Sequence, residues 1–179
     1  CVTSNSNGSI IASACTAKQA DIAAIRLWDT ESWRQIDVLQ GHALTVTQIA
    51  FSPSDQYMLS VSRDRHIILY EKTPVEDKFT FTPVIKTKAS DRIIWGCSWS
   101  YDSKLAVTGS RDKTIKVWRM DDIETAKQNY QAYAKLSPLE KKKHTASPFP
   151  LVGSLTFDSG VTSCEFIDFK RYNNVIPEH

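Results

Sequence analysis

Short apolar runs, each closed by a cluster of turn residues, recur along the chain, and their rhythm predicts antiparallel strands. "VTQIAFS" (46–52) meets the turn "PSDQ", then "YMLSVS" (57–62), the turn "RDR" and "HIILYEK" (66–72). The same succession returns as "IIWGCSWS" (93–100), "KLAVTGS" (104–110) and "TIKVWRM" (114–120). Residues 41–72 lie over 89–120 without a gap. Phe51 falls on Trp99, Ser62 on Ser110, Arg63 on Arg111, Asp64 on Asp112 and Tyr70 on Trp118. A recurrence of this length is filled by four short strands and their turns, so each copy is expected to be a four-stranded sheet in a repeat architecture. The outermost strand has a poorer pattern, as an edge would: "WRQIDVLQ" (33–40), "FTPVIKT" (81–87) and "LVGSLTF" (151–157).

Partial copies flank the two whole ones. "SIIASACT" (9–16) and "AAIRLWDT" (23–30) predict the second and third strands of a unit, and "VTSCEFIDF" (161–169) the first strand of another. The expected organisation is a partial unit over 1–40 with strands two to four, a unit over 41–88, a unit over 89–157 carrying an insertion at 121–148, and the start of a next unit over 158–179. Within the insertion, Ile123, Ala126, Tyr130 and Tyr133 recur at helical spacing behind acidic residues, which predicts a short amphipathic helix. Its second half, with Lys141, Lys142 and Lys143, reads as a solvated loop.

Gly41-His42, an apolar strand, Ser60-x-Ser62-x-Asp64, and a strand ending as Trp28-Asp29 does form the signature of WD-repeat propellers. The fold class expected is therefore all-β: an incomplete segment of a WD-repeat β-propeller, with two whole four-stranded antiparallel blades and parts of two others. A buried hydrogen-bond relay explains the residue types, because the loop before a blade's first strand must be held against the turn between its second and third. His42 is expected to bridge Asp64 to a strand hydroxyl, Ser60 or Ser62, with Tyr70 in the usual tryptophan's place. The second copy has Asp112, Thr108 or Ser110, and Trp118, but Ala89-Ser90 replaces Gly-His. Serine, histidine and aspartate meeting in one unit resemble a catalytic triad, yet a relay consumes the hydroxyl and provides no oxyanion donors. No GxxxxGK[ST], GxGxxG or HExxH pattern is present. A non-catalytic chain without cofactors is the expectation.

Such relays explain the aspartates and leave the neighbouring cations unexplained. Arg63, Arg65, Arg111 and Lys113 flank the turn aspartates, and Arg92 precedes the first strand of the second copy. These turns and loops open on one face of a propeller, so the five are candidate partner-binding residues, arginine being the preferred group for bidentate recognition of carboxylate or phosphate.

Charge and cysteines narrow the rest. A net charge of +2 is too mild to announce a nucleic-acid or membrane surface. Cys1, Cys15, Cys97 and Cys164 lie far apart, and the last three fall in strand-like runs where a small buried thiol is expected. No run approaches a bilayer span. The location expected is cytoplasmic, or also nuclear. The chain starts at Cys1 and stops after "NNVIPEH", so a segment of something longer is expected.

"SAC" (13–15) leading to "IRLW" (25–28), "SVSRDRH" (60–66), "RIIW" (92–95) and "TGSRDKTIKVWR" (108–119), in that order and spacing, resemble the carboxy-terminal propeller of the Elongator complex protein 2 family. The resemblance implies a scaffold with two seven-bladed propellers, in a complex that modifies the wobble uridine of transfer RNA. It also implies that a separate subunit holds the iron–sulfur, S-adenosylmethionine and acetyl-CoA chemistry. Partners implied are other subunits of that complex, with microtubules or another acidic protein surface as a further candidate and direct transfer RNA contact as a secondary one. A substrate receptor of the same fold is the remaining alternative.

Overall fold

Nearly every run predicted as a strand forms one. In the computed structural model, which describes residues 1–17, 23–75, 78–137, 140 and 149–166, twelve strands make three antiparallel sheets of four. The first holds β1 (Val2–Ser4), β2 (Ile10–Ala14), β3 (Ile25–Asp29) and β4 (Gln35–Leu39). The second holds β5 (Val46–Phe51), β6 (Tyr57–Ser62), β7 (His66–Val75) and β8 (Lys78–Lys88). The third holds β9 (Ile94–Trp99), β10 (Leu105–Ser110), β11 (Thr114–Arg119) and β12 (Leu151–Thr156). Each sheet is a simple up-and-down meander, so every neighbour in a sheet is also a neighbour in sequence.

Two departures from the sequence reading concern the ends. The segment 1–40 carries a full set of four strands, because Val2–Ser4 pairs with Ile11–Ser13 as the innermost strand. Within "VTSCEFIDF", residues 161–166 form no strand, and the remainder lies outside the described residues. Residues 161–164 instead lie against β9 and β10, where two glycines make room. A Cβ on Gly109 would stand 2.6 Å from Val161 Cγ1, and one on Gly96 would stand 3.2 Å from the Cys164 backbone nitrogen.

The sheets stack face to face, and the innermost strands run side by side in one direction. Thr47 Oγ1 donates to the Ile94 carbonyl (2.5 Å), and Trp99 Nε1 donates to the Ala50 carbonyl (3.1 Å). Ascending positions on β5 thus meet ascending positions on β9. Asp55, after β5, likewise accepts from Asn5 Nδ2 (3.0 Å) and the Ser6 N–H (2.8 Å), after β1. Two apolar layers fill the gaps. Ile10, Ala12, Leu27 and Leu39 of the first sheet meet Ile49, Met58, Ile68, Tyr70 and Phe81 of the second. Leu59, Val61, Ile67, Leu69 and Ile85 on the second sheet's other face meet Ile94, Cys97, Trp99, Ala106 and Trp118 of the third. Alternation vanishes on β6 because both its faces are covered, leaving only Tyr57 short of full burial.

The predicted helix is present as α1 (Ile123–Ala134), started by Asp122, whose carboxylate accepts from the Thr125 N–H. Ile123 and Ala126 are buried, and Tyr130 packs beside them on the layer between the second and third sheets. Lys127 reaches Glu71 on β7 at 2.9 Å. Of the cysteines, Cys97 is fully buried and Cys164 partly, whereas Cys15, just past the end of β2, is exposed, against the expectation of a buried thiol.

Candidate functional site

Antiparallel pairing brings the loop before each first strand to the turn between the second and third, since Val46 pairs with Ser62 and Ser110 with Ile94. In the second sheet this corner is stapled by the predicted relay. His42 Nδ1 lies 2.9 Å from Asp64 Oδ2 and His42 Nε2 lies 2.8 Å from Ser60 Oγ. With Nδ1 donating to the carboxylate, Nε2 accepts from the serine, and Tyr70 closes the chain with a hydrogen bond to Ser60. The geometry selects Ser60 as the bridge. Ser62 has a different part, donating to the Leu44 carbonyl and accepting from the Asp64 N–H. Asp64 also accepts from the N–H groups of Ala43 and His66. Burial pushes its carboxyl up, but the hydrogen bonds from His42, His66 and Ala43 outweigh that and hold it well below the usual carboxylate range. Burial raises the Tyr70 phenol to about 12.

The Ser60–His42–Asp64 line has the hydrogen-bond order of a hydrolytic triad without access to a substrate. Ser60 is 0% and His42 2% exposed, and the hydroxyl is already engaged by histidine and tyrosine.

In the third sheet Ser90 occupies the histidine's position. Its hydroxyl meets Asp112 Oδ2 at 2.5 Å and Ser110 Oγ at 2.7 Å, while Thr114 donates to Asp112 from both N–H and hydroxyl. Trp118 Nε1 donates to Thr108 Oγ1 at 2.9 Å, separately from the serine cluster. The corner is still stapled, and the aromatic is still anchored, by two networks instead of one. Burial raises the Asp112 carboxyl, and hydrogen bonds from Ser90 and Thr114 bring it net below its ordinary value. The first sheet repeats the anchor through Trp28 Nε1 and Ser13 Oγ at 2.8 Å, a pair the sequence reading missed. Its signal was the spacing between the strands, since Ser13 pairs with Arg26, as Ser60 does with Ile68 and Thr108 with Lys116, each two residues before the aromatic.

The five candidate cations are all exposed. Arg63 and Arg65 flank the second sheet's corner, and Arg92, Arg111 and Lys113 stand at the third's. Because β5 and β9 run in one direction, the two corners share one end of the stack. Arg92, Arg111 and Lys113 surround a depression of about 530 Å³ that Asp91 and Asp112 also line, which Arg63 and Arg65 do not reach. Among the described residues none of the five is within ion-pair distance of a carboxylate; the nearby Asp91 is held by Lys88 at 2.6 Å. Arg65 (φ 73°) and Lys113 (φ 71°) adopt the left-handed conformation at equivalent turn positions. Glycine would be the least strained residue there. Two cations at positions that favour glycine are not explained by the turn itself.

Comparison with known proteins agrees with this geometry. The WD domain, G-beta repeat family model matches residues 33–71 and 81–119, the second stretch beginning 48 residues after the first. Each match starts at or just before one sheet's outer strand and ends on the third strand of the next sheet, so the sequence repeat is offset from the structural blade. The human Elongator complex protein 2 is 50% identical over 126 residues, covering 66% of this chain and 15% of the relative. Its Dictyostelium discoideum counterpart is 38% identical over 166 residues, covering 92% of this chain and 16% of the relative. The Schizosaccharomyces pombe protein is 44% identical over 124 residues, covering 68% and 16%. Among solved structures, U3-55K superposes with a TM-score of 0.66 at 17% identity, over 92% of this chain and 41% of that one. The RRP9 WD40 repeats give 0.66 at 18%, with the same coverage; at such identity these two show the fold alone. With its stapled blades, its repeat matches and these relatives, the chain belongs to the Elongator complex protein 2 family, spans about 15% of the length of the curated members it matches, and forms part of a WD-repeat β-propeller.

Proposed function

We propose that this segment is a non-catalytic scaffold within the Elongator complex, and that its stapled corners present Arg63, Arg65, Arg92, Arg111 and Lys113 to an acidic surface of another subunit. The assembly so formed is the one that modifies transfer RNA wobble uridines, and its place of work is the cytoplasm or also the nucleus. One observation carries the reading: exposed cations without carboxylate partners among the described residues occupy equivalent corners at one end of adjacent blades, two of them in strained turn positions. A paired arginine contributes about 1 to 3 kcal/mol as a charge-assisted hydrogen bond. Replacing Arg63, Arg65, Arg92 and Arg111 together by alanine in the full-length protein is therefore expected to abolish recovery of the other subunits by affinity purification, with the circular dichroism spectrum unchanged. Undiminished recovery would remove the assignment.

The depression between Arg92, Arg111 and Lys113 favours a second reading, in which the same cations meet phosphates of transfer RNA. Binding of transfer RNA to the full-length subunit that falls steeply with salt supports it. Absence of binding at low salt dismisses it.

A further inference from the structure

Five serine or threonine residues in the chain precede a proline: Ser52, Thr73, Thr82, Ser137 and Ser147. A proline-directed protein kinase takes such a dipeptide at the surface and outside a sheet ladder, where only local contacts have to open for the hydroxyl to enter the cleft. Ser52 fails this test. It is 1% exposed, and its hydroxyl is engaged with Ser54 and the Tyr57 N–H. Thr73 and Thr82 lie in the β7–β8 ladder, where Thr73 pairs with Thr80 and Thr82 with Glu71. Ser147 lies outside the described residues.

Ser137 differs from Ser52, Thr73 and Thr82. It is exposed, belongs to no strand or helix, and follows the end of α1 by three residues. Its hydrogen bonds among the described residues stay within its own turn. The hydroxyl donates to Glu140 Oε2 at 2.6 Å, the Ser137 N–H donates to the same oxygen at 2.8 Å, and the Glu140 N–H returns to Ser137 Oγ at 3.4 Å. This is the reciprocal pattern of a helix-starting capping box. In sequence, Lys135 precedes the serine, and Lys141, Lys142 and Lys143 follow it.

From this exposure, and from the contrast with the buried or paired sites, we infer that Ser137 is a phosphorylation site for a proline-directed serine/threonine kinase. In the transfer, Ser137 Oγ attacks the γ-phosphorus of magnesium-bound ATP and the bond from that phosphorus to the bridging oxygen breaks. ADP leaves with the electron pair, and the hydroxyl proton passes to the kinase's catalytic aspartate. The phosphoserine removes the proton that Glu140 accepts and sets a dianion beside that carboxylate, so the capping box opens. The same charge stands just beyond the carboxyl end of α1, whose last turn has no basic side chain, and negative charge there opposes the helix dipole. Phosphorylation therefore loosens the end of the helix that packs over the second and third sheets.

The test uses the purified full-length protein, magnesium ATP and a cyclin-dependent or mitogen-activated kinase, with sites mapped by mass spectrometry before and after denaturation. Native protein is expected to carry phosphate on Ser137, and to carry none on Ser52, Thr73 and Thr82 until it is unfolded. S137A and P138A should each lose the Ser137 phosphopeptide, while E140Q keeps it. Native protein without phosphate on Ser137 overturns the inference, whether the unfolded chain accepts it there or Ser147 alone is modified. So does a P138A variant phosphorylated on Ser137 as well as the parent.

Discussion

In the second sheet one histidine ties the corner aspartate to the strand serine and, through it, to Tyr70. In the third, Ser90 reaches Asp112, Ser110 and the Arg92 N–H, and Trp118 relies on Thr108 by itself. The difference separates two tasks that the histidine relay merges. Stapling the turn to the preceding loop needs an acceptor at the aspartate and any short donor opposite it. Anchoring the aromatic needs a hydroxyl two residues back on the facing strand. A blade lacking the histidine keeps both, but its carboxylate sits nearer to water, Asp64 being buried and Asp112 only partly so.

That contrast is sharpest when the carboxylates are removed. Asp64→Ala leaves the N–H groups of Ala43 and His66 and the ring of His42 without their acceptor inside the protein. The expected loss is about 3 kcal/mol, the range for stripping a buried charged acceptor from its donors. Asp112→Ala strands the Thr114 N–H and the hydroxyls of Thr114 and Ser90, which water can reach more easily, so about 1 kcal/mol is expected. Urea unfolding of the full-length protein measures both, and equal losses would break the comparison.

The acid limb of stability should show the same order. Both carboxyls sit below their ordinary values in the folded state, so the unfolded chain binds more protons as the pH falls. Their contribution is complete above the unfolded pKa of about 3.9 and is lost as the pH drops through the folded value. Asp64→Asn is expected to flatten the decline in urea midpoint below about pH 4 more than Asp112→Asn does, following the larger depression of Asp64. An identical acid profile for the two variants would contradict this.

Smaller again is the aromatic anchor. Tyr70→Phe deletes one hydrogen bond to a strand hydroxyl, with an expected cost of about 1 kcal/mol, and Trp118→Phe deletes one and also thins the apolar layer around the buried indole. Ser60 keeps His42 when the tyrosine hydroxyl is gone, whereas Thr108 Oγ1 loses its indole donor when Trp118 is replaced. Trp118→Phe should therefore cost slightly more, as read from the same denaturation curves.

The repeat unit was legible because β-rich runs and turn residues recur in register, and the corner aspartates because their neighbours recur with them. Val2–Ser4 escaped because three residues show no alternation and pairing alone makes them a strand. Ser90 escaped because the relay pattern calls for histidine, and a serine hydroxyl can reach the aspartate only when the backbone brings it close. Cys15 is exposed because β2 ends at Ala14, one residue short of it, although the apolar run continues. Corner cations could be counted from sequence, but their sharing one end of the stack depends on β5 and β9 running together, which the contacts of Thr47 and Trp99 establish.

The helix shows the same division between what is local and what is not. Its spacing announced α1, yet nothing within 121–148 indicated that Glu71, where the repeat pattern has aspartate, would be the partner of Lys127 across the join between sheets. Lys127 is held between Glu71 at 2.9 Å and Glu124 at 2.7 Å, and the hydrogen bonds it donates to Glu124 and Glu71 raise its ammonium to about 12. Lys127→Met keeps most of the aliphatic stem and removes the charge, so the helix retains Ile123 and Ala126 in the apolar layer while Glu71 loses its counter-ion. The expected cost is about 0.5 to 1 kcal/mol, because the pair is partly exposed. It should be smaller in high salt and reduced in a Glu71→Gln background, where only the pair with Glu124 is left to lose. A double-mutant cycle at two salt concentrations measures it. Full additivity of the two substitutions would show that apolar packing alone ties α1 to the second sheet.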